Sequence, residues 1–482
     1  MAIDCSRVSR GQRPIGKAAR APVTLGPWRA ICLFSGLVAL PTAVLAQDEN
    51  VDPPTDVGPT APATTYDDAL SATSVNGAIA GEAILTTCRT GANAQGTARN
   101  QAFQDDCNLI VGGASEDAAG SAGALEQLAA DQINAQNSAS ARAAGAGVAV
   151  TLGRLERIRL VDRATPGTGA MLAGNGLLPM VSGGGASADL TAGPFGGFLN
   201  YEYVSGDADQ TDYQPGYDDS RWSLAAGMDY RFSDSFVGGL AVRYADEDAD
   251  FDNGRGELKG ESWGLMGYAS YFLPNGLFID GSVGYSNTDF EMEREINYGI
   301  AGSTARQIAK SDPDADVWSL SIGAGYDLFV NPFSITPSLR LSYVENSVDG
   351  YREAMSDPST VGGAMALSVD SQTYTSLTSN LGVQISRAIS TSSGVWVPQL
   401  RIGWIHEFEN DQEQVGATFV NDINQQPLYI LTNKPDENYF DLGVGVSGQF
   451  ANGRSAFISY NTLLGYDDVT YNAITAGVRL EF

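Results

Sequence analysis

Histidine is almost missing from this chain: of 482 residues only His406 is one. A Ser-His-Asp site would have to use it. No G-x-S-x-G elbow and no Gly-Asp-Ser-Leu block accompanies it. One histidine and two spaced cysteines make no zinc site. No enzyme activity and no cofactor are therefore expected. Basic residues are also scarce, 28 against 57 acidic, for a net charge of −29. Nucleic acid needs a basic footprint and is excluded as a partner. After the first fifty residues no apolar run is long enough for a membrane-spanning helix.

What is present begins with a secretory signal over 1–46. Arg7, Arg10, Arg13, Lys17, Arg20 and Arg29 form a basic n-region. Ala30 to Leu40 is a short apolar core, and Val44-Leu45-Ala46 is a small-residue cleavage site. A membrane anchor is the plainer alternative, but the run is short for it. Cleavage removes Cys5 and Cys32 and leaves Cys88 and Cys107, which in an exported protein are expected to pair. The bridge would close a loop of about 20 residues and stabilise it by roughly 3 kcal/mol.

Residues 47–121 read as a short polar region, its first part rich in Pro, Asp and Thr. Over 122–164, Leu125, Leu128, Ile133, Leu152, Leu155, Ile158 and Leu160 recur at helical spacing, with Gly145 and Gly147 between two segments. The second carries Arg154, Arg157 and Arg159, basic in an acidic chain. They fit either a solvated helix face or a helix held in an acidic lumen. Residues 165–197 are a Gly/Ala-rich link.

From Phe198 to Phe482 the period is two. Trp222, Leu224, Ala226, Met228, Tyr230 and Phe232 alternate with Ser223, Gly227, Asp229 and Arg231. The last strand puts Ile474, Ala476, Val478, Leu480 and Phe482 on one face. A hydrophobic edge at a chain end invites aggregation, whereas a closed membrane barrel has no edge. About twelve such segments are predicted, near Phe198, Arg221, Ser235, Leu258, Gly276, Asp314, Phe333, Gln372, Gly394, Asn438, Arg454 and Val469. Five tight turns alternate with long acidic connections (207–219, 247–257, 291–313, 346–371 and 409–437) until a short last one. That sorting fits short periplasmic turns and longer external loops. Trp222, Tyr230, Trp318, Tyr326, Trp396 and Trp404 sit at strand ends, as interfacial girdles require. The fold class is an all-β, twelve-stranded antiparallel transmembrane barrel preceded by a helical linker. His406 shares parity with Trp404, Ile402 and Leu400 and is expected to point outward as an interface residue. The alternating carboxylates of Asp246 to Gly254 lack the closing acid of an EF-hand and read as an acidic loop.

The region resembles the autotransporter β-domain of type V secretion. The likeness runs through Trp404-Ile405-His406-Glu407-Phe408, Gly443 to Phe450, Ser455 to Tyr460 and the final Ala476 to Phe482. It implies a monomeric barrel in the outer membrane of a Gram-negative bacterium, in contact with lipid and lipopolysaccharide. It implies recognition of Phe482 and its alternating partners as an assembly signal by periplasmic chaperones and the barrel assembly machinery. It further implies that a helix crosses the pore and that the barrel anchors or translocates its own N-terminal segment. Here that segment is short for a passenger. The alternative is a structural or adhesive barrel that acts through its long loops without export.

Overall fold

The alternation of apolar and small or polar residues produces twelve long strands in the computed structural model, which describes residues 65–136, 153–155, 194–451 and 453–481. They are β1 (Phe195–Ala208), β2 (Tyr217–Ser233), β3 (Phe236–Phe251), β4 (Gly256–Phe272), β5 (Leu277–Ile300) and β6 (Asp314–Tyr326). β7 (Phe333–Val348), β8 (Gln372–Ser386), β9 (Gly394–Glu407), β10 (Asn438–Phe450), β11 (Arg454–Leu464) and β12 (Val469–Glu481) follow. Each pairs antiparallel with the next. β12 returns to β1 with Tyr203 opposite Ile474, Leu199 opposite Val478 and Gly197 opposite Leu480. The sheet is thus a closed barrel without a free edge, as a lipid-facing sheet must be.

The two ends differ. At one, the turn end, lie the start of β1, the end of β12 and the five tight turns. At the other, the loop end, lie the longer connections. Between them the outward face is apolar: Leu240 is 63% exposed and Leu265 55%. The band is bounded by aromatics. Toward the loop end Trp222, Tyr244 and Trp263 follow one another across β2–β4 with ring centroids 5.4 and 4.8 Å apart. Tyr285 and Trp318 continue the row at 4.9 Å. Toward the turn end Phe195, Tyr230, Phe232 and Phe236 form a second row at 4.9 to 5.4 Å. Eight residues separate Trp222 from Tyr230, about 26 Å along the strand at roughly 3.3 Å per residue.

Two of the predicted connections are different in the structure. Residues 247–257 are not a long loop. β3 runs to Phe251 and β4 starts at Gly256, so the strands stay paired well beyond the girdle. Residues 291–313 are likewise a hairpin, in which β5 reaches Ile300 and pairs with a short strand, Ser303–Ser311. The backbone groups of these extensions pair with each other in water, because an apolar inner face gives them something to pack against. The remaining long connections carry Tyr351–Arg352, Leu367–Val369, Gln414–Phe419 and Pro427–Leu431, which form a separate four-stranded sheet over the loop end.

Residues 65–128 are more helical than their composition indicated. They form α1 (Thr65–Ser71), α2 (Val75–Thr90), α3 (Ala98–Gly113) and α4 (Ala118–Leu128). The local signals are caps. Ser74 accepts from the Gly77 amide at 3.1 Å to start α2, and Gly91 ends it at φ +61°. Asp117 accepts from the Gly120 amide at 2.8 Å to start α4.

Candidate functional site

The inward positions of the barrel carry two separate arrangements, one in the lumen toward the turn end and one over the loop end. In the lumen, Arg154 is 1% exposed and its Nε donates to Asp229 Oδ2 at 2.6 Å. Asp229 lies on β2 opposite Gly196, where β1 begins. The guanidinium also stands over the Phe198 ring, 5.4 Å from its centre, a cation–π contact. Tyr268 Oη donates to the same Asp229 oxygen at 3.4 Å. Leu155, fully buried, packs among Phe198, Val237, Met266, Tyr268 and Phe278, all inward-facing on β1 to β5. Gly227 is small here because a Cβ would come within 2.5 Å of the Phe198 ring. The charge pair is shielded on every side, so removing either member leaves a buried charge uncompensated.

The other side of the lumen, along β7 to β12, stays open as a cavity of about 810 Å3. Its lining mixes apolar surface with polar side chains, among them Arg340, Asn380, Arg401, Asp441 and Asn461. Arg401 Nε donates to Asp441 at 3.0 Å and Asn380 donates to the same carboxylate at 3.0 Å. Arg154 and Leu155 are thus held on the β1–β5 side by inward aromatics, while polar side chains of β7 to β10 reach into the open cavity.

Over the loop end, α2 to α4 pack on the strand extensions and the four-stranded sheet, and α1 packs on α2 and α4. Phe103 of α3 meets Phe419 at 5.1 Å between ring centroids. Ile84, Ile110, Leu125 and Leu128 share one core with Phe290, Met292, Ile296, Leu367 and Ile430. Buried polar groups cross the same boundary. Asn76 Nδ2 donates to Leu431 O at 2.9 Å, and Asn76 Oδ1 accepts from the Leu431 amide at 2.8 Å. Asp422 accepts from Thr87 Oγ1 and Asn93 Nδ2. Asp106 accepts from the amides of Gly362 and Ala364 at 2.9 and 3.2 Å. Burial pushes the Asp106 carboxyl above the usual carboxylate range, against those two hydrogen bonds. Arg294 makes two bonds to Glu353, at 2.8 and 2.6 Å, and a third to Gln127 O. Arg255 bonds Asp131 at 2.6 Å.

The residues singled out from sequence fall in different places. Cys88 and Cys107 are paired, joining α2 to α3 with Cα atoms 5.7 Å apart inside the loop-end core. Ile474, Val478 and Leu480 face outward on β12, and Ala476 shares their parity. Phe482, Arg157, Arg159 and residues 1–46 lie outside the described residues. His406 points outward beside Trp404 and Phe408, with Nδ1 3.1 Å from Asn438 Oδ1. Asp246, Asp248 and Asp250 stand outward on β3, not in a loop. The residues that sequence reasoning missed are Asp229, Phe198 and Tyr268 around Arg154, and the whole loop-end core. Their signal was present: aromatic residues at inward parity break an otherwise small and polar face.

A closed barrel with an apolar outer band between two aromatic girdles, and with Arg154 and Leu155 held in its lumen, has the architecture of an outer-membrane translocator. The autotransporter beta-domain family matches residues 197–461, and the chain belongs to that family. Membership implies the Gram-negative outer membrane, and barrels of this family are generally not enzymes. Among curated proteins the chain is similar to YaiT of Escherichia coli K12, 23% identical over 258 residues. The match covers 52% of this chain but only 23% of YaiT, so the chain spans about a quarter of that relative's length. Among solved structures it is similar to the translocator domain of autotransporter NalP from Neisseria meningitidis, with 14% identity and a TM-score of 0.48. That likeness covers 60% of this chain and 89% of the other. The beta domain of the Bordetella autotransporter BrkA is similar at 20% identity, TM-score 0.42, over 60% of this chain and all of that one.

Proposed function

We propose that this barrel carries its own N-terminal segment through its lumen and holds residues 65–136 on the outer surface of the cell. One observation carries the reading. Residues 65–136 lie at the loop end, where Gln136 Nε2 contacts Met292 Sδ at 3.0 Å. Arg154 and Leu155 lie inside the lumen toward the turn end, and β1 starts at that same end. In outer-membrane barrels the short turns face the periplasm and the longer loops the outside. A chain threaded in that sense has its N-terminal side outside. The Arg154–Asp229 pair would then fix the helix in the pore after passage. Lipid and lipopolysaccharide would surround the outward band. The alternating face of β12 with Phe482 would serve assembly by the periplasmic machinery.

Residues 65–136 contain no lysine. Asn108, exposed on α3, can therefore be replaced to place a single amine there. In whole cells carrying Asn108→Lys, a membrane-impermeant amine reagent is expected to modify that position. Modification only after the outer membrane is opened would overturn export. It would favour a barrel that acts through its loops alone.

A further inference from the structure

We propose that residues 65–136 are not an independent passenger but one half of a composite domain, whose other half is the barrel's own loops and strand extensions. The helices fold on these loops as a template and remain there as a permanent cap. The proposal rests on the export reading only for the side of the membrane on which the cap lies.

Three observations point to this. First, the helices lack a complete core of their own. Phe103, Ile84 and Ile110 are fully buried, yet the surfaces that bury them include Phe419, Ile430 and Leu367 from two different connections. A helical unit of this size that buries only part of its apolar surface internally is marginal at best. Second, the partner sheet is no more self-sufficient. Its strands are two to six residues long, and short isolated sheets are unstable in water. Third, the polar groups at the boundary are built for each other. Asn93, fully buried, donates to Asp422 at 3.0 Å and accepts from the Ile423 amide at 2.7 Å. Asn76 and Asp106 have the backbone partners given above. These are specific pairs across more than 250 residues of sequence, whereas a loosely resting passenger would present a wet, mismatched boundary.

A chain that is unfolded in the pore and folds only on arrival at the loops cannot slip back, because return requires melting the shared core. Retention follows from folding, without a separate anchor at the surface.

The test uses the full-length protein refolded in detergent, read by hydrogen exchange on peptides from α2, α3 and the strands. Two variants alter only the loop half: Phe419→Ala and Asp422→Ala. Each is expected to lower protection of the α2 and α3 amides at least tenfold while the parts of β1 to β12 between the two girdles keep theirs. Phe419→Leu is expected to restore most of it. Unchanged helix protection in both alanine variants would overturn the proposal, since the helices would then fold alone. A loss that spreads equally to the strands between the girdles would also overturn it, since the cap would not be a cooperative unit of its own. The Asn108→Lys labelling is the separate check on export. If it fails while the loop variants behave as stated, the composite domain stands and only its side of the membrane is wrong.

Discussion

The wall of the barrel and the strand extensions under the cap belong to the same strands, but they obey opposite patterns. In the wall, β5 turns Ile279, Val283 and Tyr285 outward and Asp280 and Ser282 inward. A dozen residues on, the same strand turns Asp289, Glu291 and Glu293 outward and Phe290, Met292 and Ile296 inward. The register does not change, but the chemistry does. Outside the wall is lipid, so the outward face is apolar. Outside the extension is water, and its inner face has a protein core to cover. The point of inversion, near Asn287, lies just past the Tyr285–Trp318 girdle and marks the edge of the membrane band from sequence alone.

Breaking the two regions separately tests that contrast. The largest effect is expected in the cap. Glu353→Ala leaves Arg294 buried without its partner and is expected to cost the cap about 3–5 kcal/mol, read by hydrogen exchange in α4 and the β5 extension. Replacing Arg294 and Glu353 together by apolar residues is expected to cost far less. In the wall, Leu240→Arg places a charge on the lipid face and is expected to cost about 2–4 kcal/mol of barrel stability, measured by urea unfolding in lipid vesicles. If the cap loosens as much as the wall in that variant, the two are not separate units. Replacing Cys88 and Cys107 with serine is expected to cost the cap roughly 3 kcal/mol on the chain-entropy view and to leave the urea midpoint of the wall in place.

The smallest effect is a pH dependence confined to the cap. The folded pKa of Asp106 lies above its unfolded value because burial outweighs the two amide hydrogen bonds. Protonation therefore favours the folded cap. That contribution is complete below the unfolded value, about pH 3.9, and is lost as pH rises through the folded value. The difference in cap stability between the unchanged chain and Asp106→Asn is expected to fall across that window. A difference that grows with pH would mean that the Gly362 and Ala364 amides, not burial, dominate at this carboxylate.

The wall was largely legible because each strand meets a uniform environment on each face. Twelve segments were predicted, and the twelve strands begin within a few residues of the predicted positions, from Phe195 to Val469. The extensions look like loops in the sequence because their outward residues are acidic: Glu291, Glu293 and Glu295 mask the parity of Met292, Arg294 and Ile296. The polar look of residues 66–113 concealed α2 and α3 for a related reason. Buried Asn76 of α2, Asn93 of the turn between the helices and Asp106 of α3 are satisfied by atoms more than 200 residues away, and no local pattern encodes a partner at that distance.

By itself, then, the sequence determined the barrel: period two, the sorted turns, the girdles and a last strand with an apolar face require only lipid outside and polarity within. Tertiary structure alone decided which inward positions grip Arg154, and which pieces of separate loops complete the core around Phe103. The physical reason is that a lipid face is an average property of many positions, whereas a composite core depends on particular side chains brought together from distant parts of the chain.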